Sequence, residues 1–139
     1  MLPALPDYEK LVYSLQAKYS EIRYSTLVIK RVGPFAAKLV GKLFFRKNIE
    51  LGILEVLDLN KKAIINYSYE VYKDKEKQYW YDSWSHPDDE TLAATDPHHK
   101  HVPPDIKHNR IPVPDISFDK PNLPFLIEEI LREYFLDKI

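Results

Sequence analysis

The chain has 139 residues, no cysteine, 3 glycines and 11 prolines, with 20 basic against 21 acidic side chains. That length holds one domain of ordinary size. The lack of cysteine excludes a disulfide framework, a thiolate zinc site and a cysteine nucleophile, and no apolar run approaches the roughly 20 residues that span a bilayer. Hydrophobic residues at 45% and charged residues at 29% are the composition of a folded chain rather than a disordered one. Residues 1–6 lack the basic start and apolar core of a secretion signal, so a cytoplasmic location is expected.

In chain order, Asp7 reads as a helix cap. Tyr8, Leu11, Val12, Leu15 and Tyr19 then recur at helical spacing, which predicts a helix over 7–19. Residues 22–32 are rich in β-branched and aromatic side chains but carry Arg23, Lys30 and Arg31, the pattern of an edge strand. Gly33-Pro34 ends it. Three further strands are predicted. Over 38–46, Leu39, Gly41, Leu43 and Phe45 share a face. Over 50–59, Leu51, Ile53 and Leu57 do so, with Glu55 among them. Over 63–72, Ile65, Tyr67, Tyr69 and Val71 oppose Asn66, Ser68 and Glu70. A fifth strand over 78–84 places Trp80, Asp82 and Trp84 on one side and Tyr79 and Tyr81 on the other. The connections at 58–62 and 73–77 are short and polar, so successive strands are antiparallel neighbours.

Residues 85–124 hold eight of the eleven prolines, which predicts a long irregular loop. Ile106, Ile111, Val113, Ile116 and Phe118 within it are expected to pack on the sheet. Asn122 reads as the cap of a last helix with Pro124 in its first turn. Leu123, Leu126, Ile127, Ile130, Leu131, Tyr134 and Phe135 form its apolar stripe. The expected fold is α+β: a curved antiparallel meander of about five strands with N- and C-terminal helices and a long Pro/His-rich loop. It forms a single domain over 1–139, with a scaffold over 1–84, the loop over 85–121 and the helix over 122–138.

Two asymmetries lie beneath the near-zero net charge. Residues 1–47 carry nine basic and three acidic side chains, and the remainder eleven basic and eighteen acidic. The basic set is Lys10, Lys18, Arg23, Lys30, Arg31, Lys38, Lys42, Arg46 and Lys47. It suits RNA or DNA, or an acidic partner, and equally an ordinary solvated face. The five histidines, His86, His98, His99, His101 and His108, fall within one 23-residue window.

The densest chemistry is Pro97-His98-His99-Lys100-His101. In extended chain His99 and His101 share a face. Two imidazoles so placed can hold a divalent metal with a carboxylate such as Asp82, with His86, Asp96 and Asp105 as further donors. Without metal, one histidine can take the proton of a ribose 2′-hydroxyl. A second histidine, or Tyr81, then protonates the leaving oxygen, and Lys100 offsets phosphate charge. The structural alternatives are an exposed loop for His98 to His101, a turn role for His86 beside Pro87 and a solvated His108. The aromatic set Tyr79, Trp80, Tyr81 and Trp84 serves either to stack bases or to build a core or interface. No Gly-rich phosphate loop and no HExxH helix is present.

Tyr79-Trp80-Tyr81-Asp82, then His86, then the Pro-His-His-Lys-His block at 97–101 followed by Val102 resemble the TumE-type toxin family of toxin–antitoxin systems. The likeness runs from Ala37-Lys38-Leu39 to residue 102. By it, Tyr81, Asp82, His86, His98, His99, Lys100 and His101 become catalytic candidates, with His99, His101 and Asp82 as candidate metal ligands. It departs at Trp80, where the family tends to have an arginine able to clamp phosphate, and at His86-Pro87, where the family often has two histidines. The tail over 103–139 is longer than in compact members. The resemblance implies a toxin with an antitoxin partner. Joined to the histidine chemistry it points to an RNA phosphodiesterase, possessed or not of a divalent metal. The alternative is a non-enzymatic binding or homodimerisation module with a structural histidine loop.

Overall fold

The computed structural model describes residues 1–83, 98–102, 110–112 and 115–136. Helix α1 (Leu5–Tyr13) and the short α2 (Leu15–Lys18) precede β1 (Ile22–Ser25), β2 (Val28–Arg31), β3 (Ala36–Phe45), β4 (Ile49–Asp58), β5 (Ala63–Lys73) and β6 (Glu76–Asp82). Strands β7 (His99–His101) and β8 (Arg110–Pro112) and helix α3 (Leu123–Tyr134) follow. The sheet runs β1-β3-β4-β5-β6-β7-β8, with β2 also paired to β3, and all its pairings are antiparallel. The α+β meander with terminal helices is therefore the observed architecture, wider than the five strands expected.

Three local departures have identifiable causes. The strand expected over 22–32 is two, interrupted at Thr26-Leu27, where the Thr26 carbonyl lies close against Gly41 (φ +138°) of the neighbouring strand. The helix expected over 7–19 starts earlier, at Leu5 with a proline in its first turn. Asp7 lies inside it rather than capping it, and it breaks at Ser14. The alternation on β5 slips where a bulge pairs Leu57 with Ile64, so Ile64 is buried and Ile65 is exposed. The 85–124 stretch also holds regular structure, since β7 and β8 extend the sheet from β6. Trp84, the expected end of the fifth strand, lies outside the described residues, as do Ile106 and Val113.

One face of the sheet carries the core. Leu39, Leu43 and Phe45, Leu51, Ile53 and Leu57, Tyr67, Tyr69 and Val71, and Tyr79 and Tyr81 are buried there. They pack in one cluster with Tyr8, Val12 and Leu15 of the first helices and Leu123, Leu126, Ile127 and Ile130 of α3. Each aliphatic side chain so buried contributes about 1.5–3 kcal/mol. Within this layer sits fully buried Glu55, which accepts hydrogen bonds from the hydroxyls of Tyr8 and Tyr69, the latter at 2.5 Å. Asn122 stands at the start of α3 but does not cap it with its side chain. Its amide donates to the Tyr69 hydroxyl (3.0 Å) and the Ser117 carbonyl (2.8 Å), and its oxygen accepts from the Ser117 N–H. Among the described residues no helix packs on the opposite face, where Leu54 is exposed.

Candidate active site on the two sides of the histidine strand

Strand β7 completes the edge of β6. Trp80 pairs with His101, Tyr81 with Lys100 and Asp82 with His99. Partners opposite one another in an antiparallel pair share a face, so the block alternates. His101 falls in line with Trp80 on the outer side, while Lys100 falls in line with Tyr81 on the core side, and position 99 is in backbone register with Asp82.

On the outer side, Nε2 of His101 lies 3.2 Å from Oδ2 of Asp82. The indole N–H of Trp80 donates to the same oxygen at 3.2 Å. The Trp80 ring stacks on the imidazole with centroids 4.0 Å apart and planes 17° apart. His101 is 2% exposed and the Asp82 side chain 15%. A carboxylate held this way fixes the imidazole's orientation and stabilises the charge that forms when the ring takes a proton.

On the core side, the Tyr81 hydroxyl donates to both oxygens of Glu129 on α3, at 2.6 and 2.7 Å. Burial, reinforced by the Glu129 charge, pushes the Tyr81 phenol up, so it remains a donor. The Lys100 ammonium lies 3.2 Å from Glu129 and over the Tyr79 and Tyr81 rings, at 4.3 and 5.3 Å from their centroids. His98 shares a 2.6 Å hydrogen bond between Nδ1 and the Tyr67 hydroxyl, and its ring leans on Phe118 with centroids 4.5 Å apart. Burial, then the Asp82 charge, pushes the Tyr67 phenol up as well.

The candidates thus divide. Asp82 and His101 are joined directly, Tyr81 and Lys100 are joined through Glu129, and His98 pairs with Tyr67. His99 is in register with Asp82, and His86, Asp96, Asp105 and His108 lie outside the described residues. The phosphate contact expected of Lys100 is not on the side of Asp82 and His101, because its ammonium is drawn to Glu129 beneath the sheet. Among the described residues no group of three histidines or carboxylates could hold a metal ion.

Sequence reading missed Glu129. Its only signal is a charge three residues after Leu126 and one before Ile130, at the border of the apolar stripe. It also missed Tyr67 as the partner of His98. Within the basic set, Lys42 shares Glu50 with Lys75, at 3.3 and 2.8 Å, and Lys47 donates to the Tyr134 carbonyl at 3.0 Å. A cavity of about 440 Å³ between Arg23, Tyr24, Phe44, Asp74 and Lys75 contains none of the candidates.

A family model described as Toxin TumE matches residues 11–134, a span that takes in α3 with Glu129 and most of the tail beyond 102. No curated protein and no solved structure matches the chain.

Proposed function

Because this chain belongs to the TumE family, toxins of toxin–antitoxin systems whose counterpart is an antitoxin, we propose that it cleaves RNA as a phosphodiesterase through the Asp82–His101 pair. The observation that carries this reading is the His101–Asp82 contact at 3.2 Å, braced by the Trp80 indole on the same oxygen, with His99 in register beside the carboxylate. His101 takes the 2′-hydroxyl proton as the 2′-oxygen attacks phosphorus. Asp82 supports the resulting imidazolium, the bond from phosphorus to the 5′-oxygen breaks, and that oxygen receives a proton from His99. Tyr81, Lys100 and Glu129 act as positioning groups that hold β6 and β7 to α3. His98 does the same through Tyr67.

A second reading is favoured by the 2% exposure of His101: the pair is structural and the chain works by binding a partner. The test is cleavage of single-stranded RNA by purified protein, across pH, with Asp82→Asn and His101→Ala. Removing a positioned acid–base group costs about 10²–10⁴-fold in rate. The proposal expects losses of that size, a displaced pH–rate profile for Asp82→Asn, and retained near-native circular dichroism. Folded variants that cleave at the parent rate overturn it. A parent protein that cleaves nothing yet loses antitoxin binding in these variants supports the binding reading instead.

A further inference from the structure

Register orders the face opposite the core, which no helix covers among the described residues, into rows that cross the sheet. One row runs Val28–Val40–Leu54–Ser68–Asp82–His99, and the next runs Lys30–Lys38–Val56–Asn66. Two features of these rows point outward. Lys30 and Lys38 stand directly opposite one another, both exposed, and neither forms an ion pair among the described residues. Like charges facing across a ladder are unfavourable, and an anion laid over them relieves the repulsion. Beside them the face is hollowed into a depression of about 230 Å³ lined by Lys38, Leu54, Val56, Asn66, Tyr67 and Ser68. Ser68 is in turn opposite Asp82.

We propose that this face is a platform for single-stranded RNA. The backbone phosphates lie on Lys30 and Lys38, a nucleotide sits over Leu54 and Val56 within reach of Asn66 and Ser68, and the strand continues to the Asp82–His101 edge. From β3 to β6 is three strand spacings, about 14 Å, a span of a few nucleotides. Sequence-tolerant single-strand binders join a cationic track to a platform on which bases stack; here the track is Lys30 and Lys38 and the floor is aliphatic, Leu54 and Val56. Of the acids on this face, Glu70 is paired with Lys77 at 3.4 Å, and Asp58, diagonal to Lys38, accepts from the Asn60 and Lys61 N–H groups. The inference rests on the RNA reading of the Asp82–His101 pair and adds where the substrate strand lies.

The experiment is fluorescence anisotropy of the full chain with a 2′-O-methyl RNA of about 12 nucleotides, which 2′-attack cannot cut, so binding is read apart from cleavage. Lys30→Glu combined with Lys38→Glu is expected to weaken binding about tenfold or more. It should also make the slope of log affinity against log salt shallower by about 1.4, the release expected from two lost phosphate contacts on a single strand. Both lysines are exposed, and a matched thermal midpoint confirms that the variant is folded. Unchanged affinity and slope overturn the platform while leaving the cleavage reading standing, as does a loss of antitoxin binding with RNA affinity intact. Parent protein that binds no RNA overturns it too. Loss of cleavage in Asp82→Asn with RNA affinity retained bears on the chemistry alone and agrees with the platform.

Discussion

Tyr69 and Tyr79 offer the same chemical change in two different hydrogen-bond settings. Both lie on the core face of adjoining strands, 0% and 7% exposed. The Tyr69 hydroxyl donates to Glu55 at 2.5 Å and accepts from the Asn122 amide at 3.0 Å, whereas the buried Tyr79 hydroxyl, although it faces the Glu129 charge, reaches no partner in hydrogen-bond geometry among the described residues. Tyr69→Phe strips a partner from a fully buried carboxyl oxygen and from a buried amide N–H. Each orphaned group costs about 1–3 kcal/mol. The Asn122 amide keeps the Ser117 carbonyl at 2.8 Å, which limits its share, so a total of about 2–4 kcal/mol is expected. Tyr79→Phe removes a hydroxyl with no well-formed hydrogen bond among the described residues and should be neutral or stabilise by about 1 kcal/mol. The two variants should then differ by about 3 kcal/mol. In urea, with a slope near 2 kcal/mol per M, that separates their unfolding midpoints by about 1.5 M. The slopes themselves should match the parent's. Midpoints within about 0.5 M of each other would refute the claim that the Glu55–Tyr69–Asn122 chain is a satisfied network and Tyr79 is not.

Two further outcomes test the same layer. Burial raises the Glu55 carboxyl above its ordinary 4.5, opposed by the hydrogen bonds from Tyr69 and Tyr8. The folded chain therefore binds that proton more tightly than the unfolded chain. Its contribution to stability is complete below about 4.5 and is lost as pH rises through the folded-state value. Parent stability minus that of Glu55→Gln should fall with rising pH across this window, and a flat difference contradicts the assignment. At Gly41, with φ +138°, an added Cβ would stand 2.6 Å from the Thr26 carbonyl oxygen. Gly41→Ala should cost about 2–4 kcal/mol. Gly52→Ala, whose nearest neighbour is 3.8 Å away, should change thermal stability by less than about 1 kcal/mol; similar losses at both positions would count against the close approach at β3.

Strand faces were legible because an alternation of two is written directly into side-chain type. Leu39, Leu43 and Phe45, and Leu51, Ile53 and Leu57 are all on the core face as their spacing predicts. The alternation fails at Ile64 and Ile65, where one extra residue in a bulge exchanges the faces and leaves no compositional trace. Strands β7 and β8, three residues each, are too short for any periodicity; the β6 edge supplies backbone partners to β7, and β7 in turn to β8. Within the site, the separation of Lys100 from Asp82 and His101 follows from parity. Glu129 could not be paired from sequence. Its contact with Tyr81 spans 48 residues and depends on how α3 settles on the sheet. Asn122 looked like a cap because caps and buried bridging amides draw on the same residue types.

The alternation of the 98–101 block separates two kinds of failure that a growth assay merges. Lys100 ties β7 to α3 through Glu129, so its loss loosens the histidine strand. A deficit of 1–2 kcal/mol is enough to lower the amount of folded protein in a cell several-fold. His101 sits across the strand against Asp82. On the proposed mechanism, a chain altered at Lys100 is expected to be scarce, and one altered at His101 to be abundant and inert. Protein level, set beside colony count, tells which half of the motif does the work.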